Sequence, residues 1–476
     1  MPRISPPGCK RCGGRAKPGR MEPERPPPAS SCTNAGVRTP RNSLRWRARQ
    51  PRRLGTEPSV LSLSHRPATA SRSQNRVAAS EPGPHRLRIA VPSLDDEFWT
   101  VGPIHMNGLL SAVRDTYAQQ IGLFSFSSTM TDDICGQTPA AELDGVIRYT
   151  YAPRWSVAWA ENWLSRHVRT RDVSVQRTLE RYGIDAVLCT GLSSGYGRIA
   201  TLWWLPDLQH LRLPEMFDAA DRAARNSRFT RSSEVATRIL VMSHSVRLDF
   251  QAFAPKYAAK VRLVPPASYI ADDVYQKDPL TVTRLYNLPD KFVYLPNQFW
   301  KHKNHELVIR AVAVLKRRGI QVCVVCTGNL IDYRHPRQSS ELFHKLSVWD
   351  VREQVIYLGM LVRDEVLALM RQSVGVLNPS LFEGWGYTVD EARSLGKSVL
   401  LSDIPAHREQ NPPNATYFDP FDCEDLATKL AEAWERNPGP DLAVEADARL
   451  RLQQRRRTYA EQFVAIAEEA VAEVRA

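Results

Sequence analysis

Residues 377–396 constrain this chain more than any other stretch; they read Leu377-Asn-Pro-Ser-Leu-Phe-Glu383-Gly-Trp-Gly-Tyr-Thr-Val-Asp-Glu391-Ala-Arg-Ser-Leu-Gly396. The apolar run 373–377 before them has the length and bulk of a buried strand. After them Val389, Ala392 and Leu395 recur at helical spacing, and Gly396 supplies a helix stop. Between strand and helix, Gly384 and Gly386 let backbone approach a ligand with no Cβ in the way. A helix start in that position points free N–H groups outward, a geometry suited to phosphate. Two carboxylates frame the turn, Glu383 before the helix and Glu391 about one turn into it. A phosphate binder has no need of two acids. A ligand carrying phosphates at one end and sugar hydroxyls at the other does, because each carboxylate accepts several hydroxyl bonds.

The Glu383-to-Glu391 spacing, set in Phe382-Glu-Gly-Trp-Gly386, resembles the donor-site signature of retaining glycosyltransferases of the GT-B fold, specifically glycosyltransferase family 4. Without its flanks the same pair would be two surface acids near a glycine-rich turn. The resemblance runs from about residue 86 to 470 and is strongest over 291–425. It implies two Rossmann-like parallel-sheet α/β domains facing across a cleft: 86–275 on the acceptor side, 285–440 on the donor side, and a tail, 441–476, crossing back to the first domain. It also implies that Glu383 binds hydroxyls of the donor hexose, that Glu391 binds the ribose, and that the amides of Gly384, Trp385, Gly386, Tyr387, Thr388 and Val389 face the diphosphate.

Composition separates these domains from what precedes them. The chain has 476 residues and a net charge of +13, and 43% of its residues are apolar, enough for two cores. Residues 1–85 hold 17 Lys/Arg against 4 Asp/Glu and 14 of the 34 prolines, so the whole excess charge lies there and the remainder is neutral. Such an arm cannot bury enough surface to fold, and disorder is expected. Three readings compete for it: a nucleic-acid or anionic-lipid binder, an organelle-targeting peptide, or an upstream start codon with Met21 as a later start. The last is preferred here, and nucleic acid is not an expected partner. No run approaches the ~18 uncharged apolar residues of a membrane span. Cys9, Cys12 and Cys32 lie in the arm. Cys323 and Cys326 sit at odd separation in a strand, hence on opposite faces. The pattern suits a reducing cytosol, so a cytoplasmic protein is expected, with a peripheral place at the inner membrane face compatible with it.

Along the chain, residues 87–92 read as a first strand, followed by a loop, 99–103, and a helix bearing Met106, Leu109, Leu110 and Val113. The dinucleotide fingerprint is absent. The family resemblance puts Gly102 of that loop opposite the donor diphosphate, with Pro103 where a second small residue is usual; a simple turn is the alternative. Trp155, Trp159 and Trp163 share one helix face, read as core packing, with an exposed acceptor or membrane surface as the alternative.

The strand at 199–205 runs into Pro206-Asp207-Leu-Gln209-His210 and then Pro214-Glu-Met-Phe217, a polar cluster at the strand end where open α/β sheets hold ligands. It resembles a run found in a subset of family 4, which implies that His210 lines the cleft near the transferred sugar, with Asp207 and Gln209 beside it. In 291–305 a strand enters the basic loop Asn297-Gln298-Phe-Trp-Lys-His-Lys303-Asn304-His305, with Asn304 placed to cap the next helix. Lys303 is suited to a diphosphate as a point charge. It matches the family's lysine, and Asn297 stands where that family carries an arginine; Asn297 and Gln298 are read as hydrogen-bond donors.

The resemblance therefore implies a retaining hexosyltransferase with Glu383, His210 and Lys303 at the reacting centre. Its partners would be a nucleotide-sugar donor and a glycan or lipid-linked acceptor, with cell-envelope polysaccharide synthesis as the setting. The donor is a substrate and no cofactor is called for; no D-x-D triplet follows residue 86, as a metal-free diphosphate site predicts. The rivals are an epimerase or phosphorylase of the same fold, a non-catalytic nucleotide-sugar-binding protein, and a nucleic-acid binder working through the arm. The start-site expectation is checked by N-terminal sequencing of the native protein, which should begin at or beyond Met21; Met1 or Pro2 at the terminus would overturn it.

Overall fold

The structure is a computed structural model that describes residues 86–92, 101–128 and 143–476. The arm 1–85, with Cys9, Cys12, Cys32 and Met21, and the loop residues Trp99 and Thr100 lie outside the described residues.

Two all-parallel sheets carry the fold. The first contains β1 (Leu87–Pro92), β2 (Ile121–Ser128), β3 (Gly145–Tyr149), β4 (Ala186–Cys189), β5 (Ala200–Leu205), β6 (Arg238–Val241) and β7 (Val261–Leu263), in the order β3-β2-β1-β4-β5-β6-β7. The second contains β8 (Val293–Leu295), β9 (Val324–Cys326), β10 (Val355–Tyr357), β11 (Gly375–Asn378), β12 (Val399–Ser402) and β13 (Ala415–Phe418), in the order β10-β9-β8-β11-β12-β13. Helices cover both faces, so the inner strands are buried on both sides and read as unbroken apolar runs such as Val399-Leu-Leu. In each sheet the winding reverses once, between β1 and β4 and between β8 and β11. Ligands of such sheets lie at the carboxyl ends of the strands at that reversal.

Side-chain alternation divides the core. In β5, Trp203 joins Phe229 and Phe250 on one face of the first sheet, while Trp204 joins Met106, Leu110, Tyr387 and Tyr459 on the other. That second cluster runs without interruption from the first sheet to the helix Tyr387–Ser394 and the C-terminal helix Leu442–Arg475. The C-terminal helix packs along the first helix, Val101–Tyr117, and touches β5 and Tyr387–Ser394. It begins at a buried ion pair: Arg371 Nε and Nη2 donate to the two Glu445 oxygens at 2.6 and 2.9 Å. Arg371 also donates to the carbonyls of Val274, Tyr275 and Lys277. It ends at the first domain, where Glu469 binds Arg238 and Arg262 and Arg475 binds Asp185. Cys323 packs with the cluster on one face of the second sheet and Cys326 with that on the other; both are free thiols.

Three sequence expectations fail locally. Gly102 sits buried in the first turn of Val101–Tyr117 and not in a loop ahead of it. Asn304 precedes the helix His305–Arg317 in left-handed conformation (φ 57°), so its amide does not cap; it donates to the carbonyls of Pro379 at 3.2 Å and Pro420 at 2.9 Å. The tryptophan face is not core: Trp163 is 49% exposed on the helix Val157–Val168, which buries only Asn162, and Trp155, 76% exposed, lies ahead of that helix at φ 72°.

Removing one partner of a buried, hydrogen-bonded ion pair strands the other charge. Glu445→Ala is therefore expected to cost about 3 kcal/mol, read from urea unfolding. A loss below about 0.5 kcal/mol would show that the three carbonyls on Arg371 suffice without the carboxylate.

Candidate active site

The site is built where β8 and β11 end side by side. β11 delivers Asn378, whose Oδ1 accepts from Asn297 Nδ2 at 3.0 Å and lies 2.7 Å from Ser380 Oγ. Asn297, just past β8, also accepts from Thr388 Oγ1 at 3.2 Å, so one buried amide ties both strand ends to the helix Tyr387–Ser394. The Asn297 amide nitrogen donates within the protein, to Asn378, and the Gln298 carbonyl oxygen accepts from the Asn329 amide at 2.6 Å.

Glu383 lies within this frame. Its Oε1 accepts from Lys303 Nζ at 2.6 Å and lies 2.7 Å from Ser380 Oγ. Burial pushes the Glu383 carboxyl up, but the charge of Lys303 and the hydrogen bonds outweigh it and hold the group below its ordinary 4.5. Gly386 has φ 93°, a conformation that an L side chain rarely adopts, and its carbonyl accepts from Val389 and Asp390 N–H as the helix begins. Gln410 Nε2 pins the turn through the carbonyls of Trp385 at 2.5 Å and Gly386 at 3.1 Å. The amides of Tyr387 and Thr388 precede the first helical bonds, at the end from which N–H groups point outward. Val389 is core, with only its backbone near the turn. The Trp385 ring is buried beside Arg393.

Glu391, also buried, is paired with Arg363, whose other nitrogen donates to the Tyr269 carbonyl at 3.0 Å. The two acids of the motif therefore each hold one cation, on either side of the helix start. Arg363 is a site residue that sequence reasoning missed; it opens the helix Arg363–Gln372 with no local signal of its role. His105 was missed too. It is buried with its ring 3.6 Å from that of Trp204, stacked, and Nδ1 lies 2.6 Å from the Tyr387 hydroxyl and 3.4 Å from that of Tyr459. Burial lowers the His105 pKa to about 3, so the ring is neutral and joins four elements as a hydrogen-bonding plate. Tyr387 consequently points away from the turn, into the core.

The first sheet meets this turn at Gly384. A Cβ there would lie 2.2 Å from the Pro206 carbonyl oxygen and 3.1 Å from Asp207 Cβ, so only glycine permits the approach. Ser243 Oγ, at the end of β6, donates to the Gly384 carbonyl at 2.7 Å. Asp207 Oδ1 accepts from the Gln209 amide at 3.0 Å, and Gln209 Oε1 accepts from Arg334 Nη1 at 2.9 Å. Arg334, unforeseen from sequence, comes from the loop after β9 and lies over the rings of Phe217 and Trp300 at 4.8 and 5.5 Å.

His210 is buried between Phe217 and Phe229, with Nε2 2.8 Å from Asn226 Oδ1 and Nδ1 unpartnered. Burial lowers its pKa. It borders an open recess of about 370 Å³ shared with Leu211, Arg222 and Asn226. Among the described residues no hydrogen bond joins it to Glu383 or Lys303. The geometry thus gathers Glu383, Lys303, Asn297, Thr388, Gly384, Gly386 and Asp207 at one place, with His210 beside a neighbouring recess. Gly102 lies in a helix whose preceding loop is outside the described residues.

Residues 284–457 match the family model described as glycosyl transferases group 1. The serotype-specific mannosyltransferase WbdA of Escherichia coli is 27% identical over 149 residues, 31% of this chain and 18% of the relative; the matched stretch spans less than a fifth of that protein. An uncharacterised glycosyltransferase of Methanocaldococcus jannaschii is 26% identical over 116 residues, 24% of this chain and 28% of that one. Among solved structures, Anabaena HepE in complex with UDP and glucose superposes with a TM-score of 0.58 at 15% identity, covering 80% of this chain and 99% of that one. A glycosyltransferase from Rickettsia africae gives 0.56 at 14%, covering 81% and 98%. The fold is GT-B: two Rossmann-like parallel-sheet domains.

Because the Glu383 carboxyl titrates below its ordinary value of 4.5 when folded, the stability it supplies is complete above that pH and is lost as the pH falls through the folded value. Wild type and Glu383→Gln should differ most near neutral pH, and their urea midpoints should converge on acidification. A gap independent of pH would mean that Lys303 does not hold the carboxylate ionised.

Proposed function

We propose that the chain transfers a hexose, with retention of anomeric configuration, from a nucleoside-diphosphate sugar to a glycan, lipid-linked or small-molecule acceptor. The observation that carries this reading is the Lys303–Glu383 pair, 2.6 Å apart, beside the amide end of Tyr387–Ser394 at the winding reversal of the second sheet. A diphosphate arriving at those amides takes Lys303 as counter-charge and leaves the Glu383 oxygens to the hydroxyls of the sugar. Glu391, one helical turn further, then takes the ribose hydroxyls, exchanging its bond to Arg363. This division makes the protein a family 4 type of enzyme.

In the reaction the bond from the anomeric carbon to the diphosphate oxygen breaks, and the acceptor hydroxyl oxygen bonds that carbon on the face the diphosphate leaves, its proton passing to the departing phosphate. Lys303 and the amides of Tyr387 and Thr388 stabilise the negative charge that grows on the diphosphate, fixed in place before the step. With that charge met by protein groups, neither a metal ion nor a resident cofactor is invoked. His210 and the recess beside it would face the sugar and acceptor. The mannosyltransferase named among the relatives and the UDP and glucose named with HepE make mannosyl and glucosyl donors the first to try, in an envelope-polysaccharide setting.

The test is thermal unfolding of wild type, Lys303→Ala and Glu391→Ala with UDP-, GDP- and ADP-sugars, followed by a search for transferred or hydrolysed sugar. At 100-fold excess over Kd a true donor adds about 2.7 kcal/mol to stability. One nucleotide class should stabilise wild type and neither variant, and sugar should be released. Stabilisation without release or transfer would make the chain a nucleotide-sugar-binding protein, and stabilisation of all three forms would place the donor elsewhere.

A further inference from the structure

The helix Val157–Val168 is amphipathic in reverse. Toward the first domain it buries only Asn162, whose Oδ1 accepts from the Ser174 amide at 3.2 Å. Toward solvent it shows Val157 at 88% exposure, Val168 at 69%, Leu164 at 55% and Trp163 at 49%, with Trp155 ahead of it at 76%. At helical spacing Val157, Leu164 and Val168 form one outward stripe, with Ala160 and Trp163 on its border. Glu161 is the acid on that side, and Arg177 neutralises it through bonds of 2.6 and 3.0 Å. Trp155 adopts φ 72°, an outlier for a bulky residue, with its ring 5.1 Å from that of Trp159 and the Arg154 guanidinium 5.0 Å above it. A helix that only had to pack would turn these side chains inward.

The charge around the stripe identifies what covers it. Residues 148–181 contain seven arginines and three acids. Arg148, Arg154, Arg169, Arg171, Arg177 and Arg181 are all exposed. Of the acids other than paired Glu161, Asp172 is buried as a helix cap and Glu180 is exposed and accepts from Gln176. Two copies of such a face would oppose arginine to arginine. Exposed tryptophans, aliphatic side chains and a rim of arginines instead match an anionic bilayer, where indole sits at headgroup depth and guanidinium meets lipid phosphate. Among the described residues no helix is long and apolar enough to cross a membrane, so the contact is with the surface.

We propose that the outward face of Val157–Val168, with Trp155, rests on an anionic lipid bilayer. Trp155, Trp163 and Leu164 sink into the headgroup layer, and Arg154 and Arg169 bind phosphates. The proposal does not depend on the reaction assigned above, because its readout requires no turnover.

The test is flotation of the full chain with vesicles of phosphatidylcholine alone and of phosphatidylcholine mixed with phosphatidylglycerol. It compares wild type with Trp163→Ser/Leu164→Ser and with Arg154→Glu/Arg169→Glu. All these side chains are largely exposed, and both variants leave the basic residues 1–85 untouched. Wild type should float with the anionic vesicles, with a blue shift of tryptophan emission. The apolar variant should bind about tenfold more weakly, and the charge variant should lose the preference for phosphatidylglycerol. The proposal is overturned if wild type shows no preference for anionic vesicles. It is equally overturned if both variants float as wild type does, which would assign binding to residues 1–85, or if light scattering finds a dimer that the apolar variant disperses.

Discussion

The contact between Gly384 and Pro206 is the constraint on which the rest of the molecule depends. A Cβ at Gly384 would sit 2.2 Å from the Pro206 carbonyl oxygen, and on its other side the glycine carbonyl is held by Ser243. The turn that carries Glu383 is therefore also a place where segments at the strand ends of the two sheets touch. Its conformation is fixed from both sides: by Asn297, Asn378 and Gln410 from its own domain, and by the ends of β5 and β6 from the other. Because interior packing is dense, a change in one domain at this point shifts the backbone of the other.

The carboxylates obey a related logic. Glu383, Glu391, Asp390 and Glu445 are all buried, or nearly so, and each has a cation: Lys303, Arg363, Arg393 and Arg371. A buried carboxylate without such a partner would take up a proton and lose its value as a hydroxyl acceptor. The side chains of Lys303 and Arg363 keep 15% and 32% exposure, so on the proposed reading a ligand would exchange one set of charge-assisted bonds for another there. At Glu445 the partner is enclosed and the pair is structural.

What could be read in the sequence was what local chemistry dictates. Buried strands announce themselves as apolar runs, and the turn at Gly384–Gly386 announces itself by its glycines and flanking acids; Lys303 follows from the basic loop behind a strand. The strands β2 and β3 were not anticipated: the apolar–serine alternation within 121–128 is itself a strand signal that was passed over, and 145–149 is a short edge strand. The missing partners are distant in sequence. His105 meets Tyr387 across 282 residues, and Gln209 meets Arg334 across 125. No spacing rule reaches that far. Asn304 failed for a different reason: a cap residue was expected where the left-handed backbone turned the amide toward two carbonyls. The tryptophan reading failed because the helix begins only at Val157, after Trp155, and because periodicity finds the apolar side of a helix without saying whether protein covers it.

The C-terminal helix bears on how the molecule is made. Its 34 residues span about 50 Å and lie along the first helix and β5, which are encoded more than 230 residues upstream. Chains emerge from the ribosome amino end first, and domains ordinarily fold in that order. Here the first domain leaves the ribosome with an uncovered apolar strip, the side later filled by Leu452, Tyr459, Phe463 and Val471. It cannot complete its core until residues 442–475 have been synthesised. The first domain is thus among the last parts to close, and throughout translation of the second half it presents a surface that a chaperone would recognise.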